Sequence, residues 1–238
     1  MSTPWLSAEL SAHIRNDYPS CIAAPFVRLE GRLSAIHRDA EKISAAATTL
    51  FEMSLKAVTF CAVCDLVEQA LVTERHTLFG YLRELDADTG GLATGKLWQM
   101  LNACLQLAEG AQYGFTHELA QRIASSGFSS LGKTEVEQLC RFRNEEAHRN
   151  MKHEAVYEET LRAQLPLLGR WLALIGLLSD WAFAVHQSTL PKGNGRPLHD
   201  ALLLSGNRYE PERCQFESEA DLSKGALLVV RVSSLRER

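Results

Sequence analysis

Arg143 and His148 have side-chain types and a spacing that suit chemistry on a phosphate. They lie in Leu139-Cys140-Arg141-Phe142-Arg143-Asn144-Glu145-Glu146-Ala147-His148-Arg149-Asn150, a stretch that starts apolar and turns polar. A guanidinium can hold two anionic oxygens at once. An imidazole titrates near neutrality and can take or give a proton. Thr134 and Glu137 fit a capping box, which predicts that a helix opens there. On that helix Val136, Cys140, Arg143 and Ala147 form one stripe, so Arg143 stands in line with residues that face a core. His148 falls roughly 140° further round, with Asn144 directly beneath it. The same two side chains could equally serve as structural partners of neighbouring acids such as Glu146, with His148 near a helix end where a cation is favourable.

The elements that would position this stretch are helical. Residues 36–71 contain no proline and no glycine and are rich in good helix formers, predicting one very long helix. From Leu50 to Leu71 it is apolar over most of its surface, as a central helix covered on most sides would be. Glu52 and Lys56, four residues apart, can pair on one face. They read either as an exposed salt-bridged edge or, with Glu52 inside the bundle, as the partner that orients Arg143, because a buried charge needs one. Further helices are expected at about 94–109, 116–125 and 154–187, the last kinked or divided at Pro166. Two short ones, opening near Thr3-Pro4 and Pro25, precede the long helix. Ser126 to Gly132 reads as a loop.

The composition changes after residue 187. Residues 188–197 read as a turn-rich linker, and Asp200–Leu204, Cys214–Glu217 and Ala226–Val232 as short strands. The expected fold is therefore mainly α: a helical bundle over 1–187, a linker at 188–197, and a small β-rich tail at 198–238. The tail is too small for a core of its own and should pack on the bundle or on a partner.

The chain has 238 residues and a formal charge of −4, which argues against a general polycation that coats nucleic acid. Its six cysteines sit mostly in apolar helical patterns, and no secretory signal is visible, so a reduced, cytoplasmic protein with buried thiols is expected. The most apolar stretch, Leu165 to Val185, is broken by Arg170 and Asp180 and reads as a buried helix rather than a membrane span. Cys61 and Cys64 have a zinc-like spacing without a second pair to match, so they read as core and no metal is expected. No phosphate-binding glycine loop or nucleophile elbow is present, and no cofactor is called for. His13, His37, His76, His117, His186 and His199 read as isolated surface or core residues, and Trp98, Trp171 and Trp181 as core.

Arg143-Asn144-Glu145-Glu146-Ala147-His148 resembles the Arg-x4-His motif of the HEPN superfamily in its Arg-Asn form. The setting is similar too: an all-α bundle, one long early helix, and the motif ahead of a final long helix. Arg141 with His148 also fits a looser Arg-x6-His form. One subset of the family continues His-x-Tyr, where this chain has Asn150. The resemblance implies a metal-independent endoribonuclease, of a kind common in toxin and phage-defence systems, with Arg143, His148 and Asn144 at the site. Glu52, Lys56 and Arg141 would support them, and Lys133, Arg149 and Lys152 would draw RNA.

The chemistry is consistent with the residues. RNA cleaves when its 2′-hydroxyl attacks the adjacent phosphorus, leaving a 2′,3′-cyclic phosphate. A base must take the hydroxyl proton and an acid must help the 5′-oxygen leave. One chain supplies one such histidine, so a homodimer with a composite site is expected, with RNA as substrate and an antitoxin or effector protein as a further partner. The resemblance also covers non-catalytic RNA-binding or protein-interaction scaffolds. A regulatory bundle that binds a nucleotide or other phosphate through the same pocket is a third possibility.

Overall fold

The structure is a computed structural model that describes residues 5–69, 71, 78–81, 93–108, 113–125, 128–147, 154–191, 196–207 and 211–237, apart from the side chains of 128–134, 146, 147, 236 and 237. It is mostly helical, with a small antiparallel sheet at the C-terminal end. It divides into two compact units: 1–7 with 28–175, and 8–27 with 176–238. Helix α1 (Ala8–Asp17) and the first part of α2 (Ser20–Leu33) fall in the unit that holds the sheet. The second helix starts five residues earlier than Pro25, which lies inside it.

In the helical unit, α3 runs from Ala40 to Glu68, about 43 Å at 1.5 Å per residue. It starts where Asp39 accepts a hydrogen bond from the Lys42 amide at 3.0 Å, a side-chain cap on an otherwise unpaired N–H. The helices α4 (Thr94–Leu107), α5 (Phe115–Ser125), α6 (Phe128–Ala147) and α7 (Glu154–Leu174) all pack against α3. Several polar groups in this packing pair between helices. Trp171 Nε1 donates to Ser54 Oγ at 2.8 Å, and Ser54 Oγ donates to the Phe51 carbonyl at 2.8 Å. Gln164 Nε2 donates to Thr48 Oγ1 at 3.2 Å.

Two helix boundaries differ from expectation. Helix α6 opens at Phe128, so Thr134 is not its cap and 128–132 are not loop. A mid-helix glycine such as Gly132 costs only about 1 kcal/mol, less than giving up a turn of a helix already nucleated. Helix α7 ends at Leu174 rather than Gln187. A 3-10 stretch, Ile175–Asp180, follows it, and residues 181–190 form a strand. An apolar run cannot be assigned to helix or strand by periodicity alone. Here the two neighbouring strands decide it.

That strand, β1 (Trp181–Leu190), pairs with both β2 (Leu198–Leu204) and β4 (Leu227–Arg231). With β3 (Glu212–Glu217) and β5 (Arg236–Glu237) the order is β4-β1-β2-β3-β5, all antiparallel. The three expected strands are β2, β3 and β4. The sheet also has a cluster of its own, contrary to the expectation that this region could not. Ala184, Ala201, Cys214 and Phe216 are buried together, flanked by Leu203, Leu222, Leu228, Val230 and Leu235. Helix α1 joins this unit through backbone bonds. Gly206 N–H donates to the Tyr18 carbonyl at 2.7 Å and Asn207 N–H to the Arg15 carbonyl at 2.9 Å. Gly206 has φ +62, and a Cβ there would lie 2.6 Å from the Asn16 carbonyl oxygen, so glycine is required.

Candidate functional site

Helix α6 buries Val136, Leu139 and Cys140, and Arg143 continues that face with its side chain 28% exposed. The guanidinium turns toward α3, where its Nε meets Glu52 Oε2 at 3.4 Å. The other carboxylate oxygen, Oε1, takes Lys56 Nζ at 2.8 Å. Glu52 therefore bridges a residue of its own helix and one on α6. Burial pushes its carboxyl up. The hydrogen bond and charge of Lys56, followed by those of Arg143, outweigh that and hold it below its ordinary value. It stays ionised and fixes the guanidinium by a charged contact at one nitrogen. Among the described residues, no other acid pairs with Arg143.

Asn144 and Arg141 are exposed on the same helix. The side chain of Lys133, together with His148, Arg149 and Lys152, lies outside what the structure describes, so the distance from Arg143 to His148 is not part of this geometry. Glu135, one of the acids near the motif, is engaged elsewhere, by an Arg170 nitrogen at 2.6 Å. Cys140 is no nucleophile. Burial pushes its thiol up to about 11, Glu137 adds to that and Arg143 only partly opposes it, so the thiolate is scarce at neutral pH.

A cavity of about 900 Å³ opens between α4 and α6 beside this face. Arg141, Cys140 and Glu137 line it from α6, and Trp98, Gln99 and Asn102 from α4. Trp98 is 8% exposed, and its Nε1 is buried without a hydrogen-bond partner. Tyr81 donates to Gln99 Oε1 at 3.4 Å across one wall. The sequence reading missed these polar residues. The available signal was the spacing of Gln99, Asn102 and Gln106, which puts three amides on one face of α4. Such a wall supplies hydrogen-bond donors and acceptors beside one exposed arginine, a lining suited to a polar ligand with an anionic group.

No group of three His, Cys, Asp or Glu that could hold a metal occurs among the described residues. Glu154–Asp180 is a helical stretch long and apolar enough to cross a membrane, and about two-thirds of its 18-residue apolar window is buried inside the chain. Compared with protein-family models, curated proteins and solved structures, the chain matches none.

Proposed function

We propose that this chain is a HEPN-like endoribonuclease, a bundle centred on α3, that cleaves RNA by 2′-hydroxyl attack without a metal. In this reading Arg143 holds the scissile phosphate and stabilises its developing charge. His148 moves the proton, and Asn144 assists beside them. A second copy, with its own α6 opposite, completes the site with another arginine and histidine. The protein acts in the cytoplasm, in a toxin or phage-defence system with an antitoxin or effector partner.

The observation that carries this reading is the Glu52–Arg143 pair. An arginine in line with the buried Val136 and Cys140 meets Glu52 through its Nε, a contact that turns the guanidinium toward α3. The exposed Arg141 and the polar cavity wall next to it fit the backbone and bases of a single strand. The same contact favours a second reading. An arginine engaged by a partly buried glutamate could be a structural strut in a non-catalytic RNA-binding or interaction scaffold.

The test is incubation of the purified chain with tRNA and mRNA in excess EDTA, with analysis of the 3′ ends. Wild type should leave cyclic phosphates. Arg143→Ala and His148→Ala should each lower the rate by roughly 10²-fold or more. Cleavage that survives both substitutions would put the site elsewhere. Tight RNA binding without cleavage would favour the scaffold.

A further inference from the structure

The sheet unit contains two histidines that the sequence separates by 13 positions and the fold brings into contact. His186 is on β1 and His199 on β2, at 2% and 1% exposure. His186 pairs with Ala201, and His199, two positions before Ala201 on β2, lies on the same face, so the two rings meet across adjacent strands; β1 then has a bulge between His186 and Ser188. Without the extra residue, Ser188 would share the face of His186. With it, Thr189 stands opposite His199 on that face.

The outer nitrogens settle the tautomers. His186 Nδ1 lies 3.0 Å from the Ser223 carbonyl and His199 Nε2 lies 3.1 Å from the Ser218 carbonyl. A carbonyl only accepts, so each of these nitrogens carries a hydrogen, the single ring hydrogen when the imidazole is neutral. The inner nitrogens, His186 Nε2 and His199 Nδ1, then present lone pairs to each other at 3.3 Å. Thr189 Oγ1 lies 3.1 Å from each. Its one hydroxyl hydrogen can satisfy only one of them. Three ring contacts call for three N–H hydrogens, and two neutral imidazoles carry two. With both rings neutral, one inner lone pair is left without a hydrogen between two buried rings, beside the exposed Thr189.

We propose that His186, His199 and Thr189 form a binding site for one divalent transition-metal ion of the zinc type. Two nitrogens each ~2.0–2.1 Å from a tetrahedral zinc ion stand roughly 3.3–3.4 Å apart. The observed 3.3 Å matches, and is longer than the roughly 2.7–3.2 Å of a good hydrogen bond to nitrogen or oxygen. Each ring already gives its outer N–H to a backbone carbonyl, the support that orients metal-bound imidazoles and raises their basicity. Phe216 stacks on His199 with centroids 5.2 Å apart and planes 19° from parallel, which further fixes that ring. Thr189 is exposed, so the fourth position opens to solvent for water or an external ligand. With two imidazoles and a hydroxyl as donors, the site is a weak one compared with three- and four-ligand zinc centres.

The experiment uses the full chain, stripped with EDTA, dialysed, and titrated with zinc chloride by calorimetry. Imidazole ¹⁵N shifts are followed in parallel, and cobalt(II) replaces zinc for absorption spectra. One ion should bind per chain, moving the resonances of His186 Nε2 and His199 Nδ1, with a tetrahedral cobalt spectrum. His199→Gln should weaken binding roughly tenfold or more. Thr189→Val, at an exposed position, should weaken it less and keep the stoichiometry. A double variant of the surface histidines, His13→Gln with His117→Gln, should bind as wild type does. Unmoved inner nitrogens at saturating zinc would overturn the proposal, as would equal affinity in His199→Gln. The wild-type ¹⁵N readout decides the matter even if the buried variant does not fold. A hydrogen held between the rings and indifferent to zinc would show a plain hydrogen-bonded pair, and would also overturn it.

Discussion

Glu52 and Asp65 lie on the same helix, α3, and both carboxylates reach across to another helix, but they grip different kinds of group. Asp65 Oδ2 accepts the backbone N–H of Thr116 at 2.8 Å, a cap on the first turn of α5 supplied from a neighbouring helix. Its Oδ1 is held by Gln69 Nε2 at 2.9 Å, which also reaches the Tyr113 carbonyl at 3.0 Å. Thr116 Oγ1 in turn donates to the Ala62 carbonyl at 3.2 Å. Everything around Asp65 ends on backbone, which is rigid. Around Glu52 the partners are the tips of two long side chains, Lys56 and Arg143. A carboxylate that fixes a backbone amide locks two helices. One that meets a guanidinium orients a side chain rather than the backbone.

The Asp65 end should therefore fail hardest. Gly114 has φ +100, and a Cβ there would meet Asp65 Oδ1 at 2.2 Å and Gln69 Nε2 at 2.7 Å. Gly114→Val combines backbone strain with this clash and should cost about 3 kcal/mol or more. Thermal melts that place it within about 1 kcal/mol of wild type would refute the picture of a rigid joint. Asp65→Ala should come next, at about 1–3 kcal/mol, because it leaves the Thr116 N–H without its acceptor. Faster hydrogen exchange at the start of α5 should accompany it.

The Glu52 end should show the opposite division between stability and function. Arg143→Ala should change stability by about 1 kcal/mol or less, since the contact is single and partly solvated, and Lys56 remains on Glu52. If the proposed function is right, RNA cleavage falls roughly 10²-fold in the same variant. A large loss of stability would instead mark Arg143 as a strut and favour the scaffold. Glu52→Gln should have the smallest effect, and a pH-dependent one. The folded-state pKa of Glu52 is lowered from 4.5. Its contribution is therefore present above the unfolded value and is lost as pH falls through the folded one. The difference in melting temperature between wild type and Glu52→Gln should be constant near neutrality and shrink in acid. A difference that persists in acid would mean the glutamine acts through shape rather than charge.

A helical run was legible because glycine and proline are absent over 36–71; the helix there spans Ala40–Glu68, its start set by the Asp39 cap. The Val136, Cys140, Arg143 stripe was legible from period alone, and it led to Glu52 as the partner to examine. The end of α7 was not legible. Trp181 to Leu190 is apolar enough to continue a helix, and the strands that claim it, β2 and β4, lie 8 or more positions away in sequence. Nor could spacing reveal that His186 and His199 meet, because that depends on the register in which β1 pairs with β2.

What the sequence determined by itself was local: helix-forming runs, the apolar stripe, the turn at Lys224-Gly225, and an arginine and a histidine five residues apart. These follow from propensity and periodicity, which act over a turn or two of chain. Tertiary structure alone decided which carboxylate met backbone and which met Arg143, and that the pairing of β1 with β2 brought two imidazoles into contact. Such contacts join residues 13 to 91 positions apart, and no local preference encodes which distant group arrives at a given face.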